Sequence, residues 1–129
     1  MAISRNAGSE QEDSRRGLGS LEKRCPVRTS LDILRGRWKP TILEQLYASP
    51  ARYNELLAAI DGVSQQALTM QLRQLVADDV ITRGKEDLRY RLTQRGDALS
   101  EIMEGLEAWG TDYLAWRSSM DQAGTTPGS

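Results

Sequence analysis

Between Leu99 and Trp116 the apolar residues Leu99, Ile102, Leu106, Trp109, Tyr113 and Trp116 recur at intervals of 3, 4, 3, 4 and 3. That rhythm returns to one side of an α-helix at every step and is the pattern of a coiled-coil seam. It predicts a helix capped by Thr93 and running to about Arg117. A small domain needs one apolar face of such a helix for its own core. Met103, Gly110 and Leu114 lie beside the seam, and this surplus predicts that a partner covers the rest, most simply a second copy.

The remaining composition narrows the function classes. With 129 residues the chain has room for one domain and its tails. Cys25 is the single cysteine, so no internal disulfide forms and a reducing, cytoplasmic setting is expected. There is no histidine, which removes the commonest general base and the commonest zinc ligand. No cofactor is expected. No apolar run is long enough for a membrane span, and no signal peptide is legible. Residues 1–20 and 118–129 read as disordered tails around a domain at 21–117. The net charge is only −1, but it is unevenly spread. Basic groups exceed acidic ones by 4 through residue 96, and acidic groups exceed basic ones by 5 afterwards. A mildly basic body thus precedes an acidic end.

The helical period recurs ahead of the seam. Pro26 suits a first turn, Val27, Leu31 and Leu34 share a face, and Gly36 stops that helix. Pro40 starts a second, with Ile42, Leu43, Leu46 and Tyr47 inward, and Ser49-Pro50 ends it. A third is expected from Asn54 as N-cap, with Leu56, Leu57 and Ile60 inward and Asp61-Gly62 as its stop. Ser64 caps a fourth, whose inward set is Ala67, Leu68, Leu72, Leu75 and Val76. Asp78-Asp79 is disfavoured at a helix C-terminus and should end it. The period then changes: residues 80–83 and 88–92 read as strands, with Leu88, Tyr90 and Leu92 inward and Gly84-Lys85-Glu86-Asp87 as the turn.

The expected fold is mainly α with a small β-hairpin (α+β): a winged helix-turn-helix with N- and C-terminal dimerisation helices. On the helix at 64–77, Gln65, Gln66, Thr69, Met70, Arg73 and Gln74 face away from the core. Amides grip adenine edges, an arginine grips guanine or phosphate, and Thr69 or Met70 can touch a thymine methyl. The backbone N–H groups at Gln65 and Gln66 can also hold a phosphate, and Ser64, which caps the helix, is counted with the DNA contacts. On the ribbon, Arg89 and Arg91 share a face and are candidate phosphate contacts, with Arg83 opposite and Lys85 at the tip. A solvated helix and strand surface is the bland alternative for both.

Cys25-Pro26, Gly36-Arg37-Trp38, the segment Tyr53–Leu56, the frame SQQALTMQLRQLVADDVITR and Tyr90-Arg91-Leu92-Thr93 together resemble the HxlR family of bacterial winged-helix regulators, over about residues 25–116. The resemblance implies a DNA-binding homodimer on double-stranded DNA, with the first and last helices at the interface. It also implies a recognition helix at 64–77 and a wing at 81–92. The family's wing usually has a longer, Pro-containing loop; the short acidic tip here should reach less far along the duplex.

Some members of that family sense oxidants or electrophiles through a cysteine at the Cys25 position. Lys23, Arg24, Arg28 and a helix N-terminus would lower its pKa; a quiet thiol is the alternative. Leu99, Ile102, Leu106, Trp109, Tyr113 and Trp116 form either interface core or, through the aromatics, a pocket for a flat small-molecule effector. A winged-helix protein-interaction module without DNA binding is the competing function. No convergent set of catalytic groups is legible, so an enzyme is not expected.

Overall fold

The computed structural model describes residues 25–124, so the expectations for residues 1–20, for Lys23 and Arg24 and for residues 125–129 lie outside the described residues. The chain divides at Lys39 into two compact units. In the first, helix α1 spans Pro26–Leu34, with Cys25 as N-cap and Pro26 in the first turn, where a missing N–H costs nothing. It buries no residue, and Val27 and Leu31 are exposed.

The second unit carries the remaining elements: α2 (Lys39–Ala48), α3 (Tyr53–Ala59), α4 (Gln65–Ala77), β1 (Ile81–Arg83), β2 (Tyr90–Leu92) and α5 (Gln94–Gln122). This is the expected helical order with a two-stranded antiparallel hairpin in the register Ile81↔Leu92, Thr82↔Arg91, Arg83↔Tyr90. Its core is built from Ile42, Leu43 and Leu46 of α2, Leu56 and Ile60, Leu68, Leu72 and Leu75 of α4, and Val80 and Ile81. Ala51 pairs with the far edge of β2: its N–H donates to Tyr90 O at 3.1 Å, and Tyr90 N–H donates to Ala51 O at 2.7 Å. The connection after α2 is thereby stitched to the wing.

Several local expectations are corrected. The N-cap of α3 is Arg52 rather than Asn54. The reason is a contact at the helix start, where the Glu55 carboxylate accepts the Arg52 backbone N–H at 2.7 Å. Tyr47 is 40% exposed rather than core, because Ile42, Leu43 and Leu46 already fill the inward face of α2. Partial burial, then the carboxylates of Glu104, Glu101 and Asp97, raise its hydroxyl above the ordinary tyrosine pKa. Val76 is 44% exposed, lying one position off the Leu68–Leu72–Leu75 line. Leu88 is not a strand residue: it takes φ +60°, and β2 begins only at Tyr90.

The α4–β1 junction explains how the last helix is set. Asp79 adopts φ +62° just past the end of α4, and the Thr93 hydroxyl donates to Asp79 O at 2.7 Å while accepting the Gly96 N–H at 3.0 Å. The same hydroxyl thus caps α5 and holds the preceding turn. Gly96 lies directly against the Val80 carbonyl, so that a Cβ there would collide with the carbonyl oxygen. Helix α5 continues to Gln122, past the expected end near Arg117, so residues 118–122 belong to the helix and not to a tail. Met120 and Gln122 are good helix formers, and the stop comes at Gly124 with φ +72°.

Gly96→Ala is therefore predicted to destabilise the fold by about 3 kcal/mol, read as a lower thermal unfolding midpoint. An unchanged midpoint would mean that α5 does not rest on the Val80 carbonyl.

Candidate nucleic-acid interface

Helix α4 has two chemically distinct sides. Ser64 caps it by accepting the Ala67 N–H at 3.0 Å, and Leu68, Leu72 and Leu75 are fully or almost fully buried. Gln65, Gln66, Met70 and Arg73 are exposed, while Thr69 and Gln74 are half-buried. These six residues, with Tyr53, line an open concavity of about 650 Å³. The reading residues expected from the sequence are therefore brought together. Ser64 differs in one respect, since its hydroxyl oxygen already serves the cap.

Tyr53 was visible in the sequence only as part of a motif; here it is a brace. Its hydroxyl donates to Gln65 O at 3.0 Å and lies 3.0 Å from Thr69 Oγ1. The start of α3 is thus fastened to the first turns of α4. The Thr69 hydroxyl is engaged inside the fold, which leaves its methyl for any contact outward. An aromatic ring with a polar tip near a helix start is the one signal that could have marked Tyr53.

The wing separates its arginines. Arg91 Nη2 donates to Asp87 Oδ2 at 2.9 Å, and the Arg89 backbone N–H donates to Asp87 Oδ1 at 3.0 Å. The Arg91 bond first, and the Arg89 N–H second, pull the Asp87 carboxyl from its ordinary 3.8 to about 2. Arg91 is correspondingly held above the usual arginine pKa, by the same side-chain bond. Both side chains are partly open to solvent, so salt screens the pair. On the other face, Arg83 stacks its guanidinium 5.2 Å from the Tyr90 ring centroid.

A second groove, of about 750 Å³, runs between the start of α3, the flank of α4 and the wing, and its basic residues are Arg52, Arg73 and Arg83. Arg73 is shared with the first concavity, whereas Arg89 and Arg91 line neither. Arg52 was not singled out from the sequence, because its link to the wing spans 35 residues: Nε donates to Asp87 O at 3.1 Å.

The expected seam is present on α5 as an uncovered stripe. Leu99 is half-buried, while Ile102, Leu106, Trp109, Tyr113, Leu114 and Trp116 are exposed, Trp109 by 68%. Trp109 and Tyr113 stack at 5.3 Å, and Tyr113 meets Trp116 at 5.5 Å. Cys25 is exposed, and the backbone N–H groups of Arg28, then Val27, favour its thiolate and lower its pKa. Among the described residues no His/Cys/Asp/Glu group could hold a metal ion, and no helix is long and apolar enough to cross a membrane.

A helix-turn-helix with an exposed polar face on its second helix, followed by a two-stranded wing, is the architecture of a DNA-binding regulator. Residues 33–118 match the HxlR-like helix-turn-helix family, and the chain belongs to that family of transcriptional regulators. It is 36% identical over 94 residues to the uncharacterised HTH-type transcriptional regulator YdeP of Bacillus subtilis, covering 69% of this chain and 73% of that one. The crystal structure of quinone-bound YodB from B. subtilis aligns with a TM-score of 0.63 and 28% identity, covering 68% of this chain and 99% of that one. The redox regulator HypR in its reduced form aligns with a TM-score of 0.65 and 29% identity, covering 74% and 99%.

The Asp87 carboxyl is predicted to titrate near pH 2 by carboxyl-carbon NMR. Because its folded pKa is depressed, the pair contributes fully above about pH 4 and is lost as pH falls through 2. Arg91→Gln should move the midpoint up towards 3.8. An ordinary midpoint in the unmodified chain would show that Arg91 does not hold Asp87.

Proposed function

We propose that this chain controls transcription as a homodimer that reads double-stranded DNA, with α4 in the major groove and the wing beside it. The observation that carries this reading is the two-sided helix α4. Three leucines bury one side, and Gln65, Gln66, Met70 and Arg73 stand exposed on the other. Gln65 and Gln66 near the helix start suit adenine edges, and Arg73 suits guanine or phosphate. The dimer reading is supported by the uncovered apolar stripe of α5 and, independently, by α1, which has no fully buried residue and exposes Val27 and Leu31. A two-fold dimer sets two recognition helices at a fixed separation, which suits paired half-sites. The interaction-module alternative lacks an equivalent observation.

A second reading concerns the signal. We infer that Cys25 is the sensing residue, because its thiol is exposed and its thiolate is favoured at the start of α1. The structural relatives include a quinone-bound protein and a redox regulator. Here an electrophile such as benzoquinone would add directly to the Cys25 sulfur.

Two outcomes are expected. Binding to duplexes selected from a random pool should be tight and salt-sensitive, with Arg73→Ala weakening it by about 5- to 150-fold. In the same assay, Leu106→Glu should give a monomer by sedimentation and lose affinity together with it. Absence of binding to any duplex at low salt would sink the regulator reading, and monomeric wild-type protein would sink the dimer. Second, benzoquinone should add one adduct by mass spectrometry and alter DNA affinity, and Cys25→Ser should abolish both effects. An adduct with no change in affinity would leave Cys25 without a sensing role.

A further inference from the structure

The residues expected to hold DNA phosphates from the wing are Arg89 and Arg91, yet the basic groove beside α4 is lined by other arginines. Arg52, Arg73 and Arg83 converge on it from three separate elements. Its one carboxylate, Glu55, is already occupied, accepting the Arg52 backbone N–H at 2.7 Å. The groove therefore presents three guanidinium groups against a single engaged carboxylate.

Two of those guanidinium groups are anchored by a hydrogen bond from Nε, and that of Arg83 also lies over the Tyr90 ring. Arg52 Nε donates to Asp87 O at 3.1 Å, and Arg83 Nε donates to Leu88 O at 3.3 Å. Anchoring at Nε orients the planar group and leaves the terminal nitrogens for an anion, which a guanidinium grips in bidentate fashion. Arg73 is exposed and forms no ion pair among the described residues. On the opposite face of the ribbon, Arg91 is matched by Asp87, so that side chain has lost much of its attraction for phosphate.

The groove also has an apolar wall. Leu88 is 47% exposed and adopts φ +60°, a backbone conformation that a branched side chain rarely takes. Together with the Tyr90 ring it lines the same groove as the arginines. Strained, exposed apolar residues of this kind cluster at binding surfaces. An apolar wall facing a row of guanidinium groups is complementary to a deoxyribose–phosphate chain, which alternates apolar sugar faces with anions.

We propose that this groove seats the sugar–phosphate backbone of the DNA, with Arg52, Arg73 and Arg83 on successive phosphates and Leu88 against the sugar. The inference rests on the DNA-binding reading above and moves the wing's phosphate contact from Arg91 to Arg83. It adds Arg52, at the start of α3, as a contact residue.

The test is the salt dependence of binding to a selected duplex and to an unrelated one, for wild type, Arg52→Gln, Arg83→Gln, Arg83→Lys and Arg91→Gln. Each phosphate contact adds about 0.9 to the slope of log affinity against log salt. Because each substitution removes one contact from each half of the dimer, Arg52→Gln and Arg83→Gln should each lower that slope by about 2 on both duplexes, whereas Arg91→Gln should leave it unchanged. Arg83→Lys should restore the slope, which a role confined to the Leu88 carbonyl and Tyr90 ring would not predict. Wild-type binding with a steep slope that neither Gln variant alters, or a loss carried by Arg91→Gln instead, would overturn the seat while leaving the regulator reading intact. No binding by the wild type at all would overturn both.

Discussion

The burial of Leu68, Leu72 and Leu75 along α4 is the constraint on which the surface chemistry depends. Each fully buried leucine is worth about 2 kcal/mol relative to exposure, so rolling α4 about its axis would forfeit roughly 6 kcal/mol. That is a large share of the stability of an ordinary domain. The rotation of the helix is thereby fixed, and with it the identity of the residues that face outward. Tyr53 adds directional control, because its hydroxyl reaches both the Gln65 carbonyl and Thr69. The helix cannot turn without breaking that bridge.

The wing is governed by a different force. Its two strands are only three residues each, too short for pairing alone to hold them rigidly. The bridge from Ala51 to Tyr90 and the bond from Arg52 to Asp87 fasten the hairpin to the connection ahead of α3. Asp87 organises the tip: its carboxylate takes the Arg89 N–H and the Arg91 guanidinium, while its carbonyl takes Arg52. One residue in a four-residue turn therefore decides which arginines remain outward.

What could be read from the sequence was whatever repeats along one element. The spacing of Leu68, Leu72 and Leu75, the cap at Ser64 and the seam from Leu99 to Trp116 all follow a helical period, and each appears where that period places it. The misplacements have two physical origins. Tyr47 and Val76 lie at the margins of apolar stripes, where a single step of 100° decides burial and the pattern is equally good either way. Arg52 and Tyr53 depend on contacts 12 to 35 residues apart that no local period encodes, and Leu88 and Arg91 are set by the turn at 84–87, where hydrogen bonds four residues apart replace the strand alternation. The strand expected from Leu88 failed at that turn: alternation suggested an extended residue, while the turn required φ +60°.

The uncovered stripe on α5 has a consequence for how a cell would experience this protein. At 29 residues α5 is about 43 Å long, and most of its large apolar side chains stand exposed. If a second copy covers them, the active species forms in proportion to the square of the free chain concentration while dimers are scarce. Occupancy of an operator then rises steeply over a narrow range of protein dose instead of in proportion to it. A gene switch with a threshold would follow from the packing of one helix, with no further contact between the two DNA-bound halves.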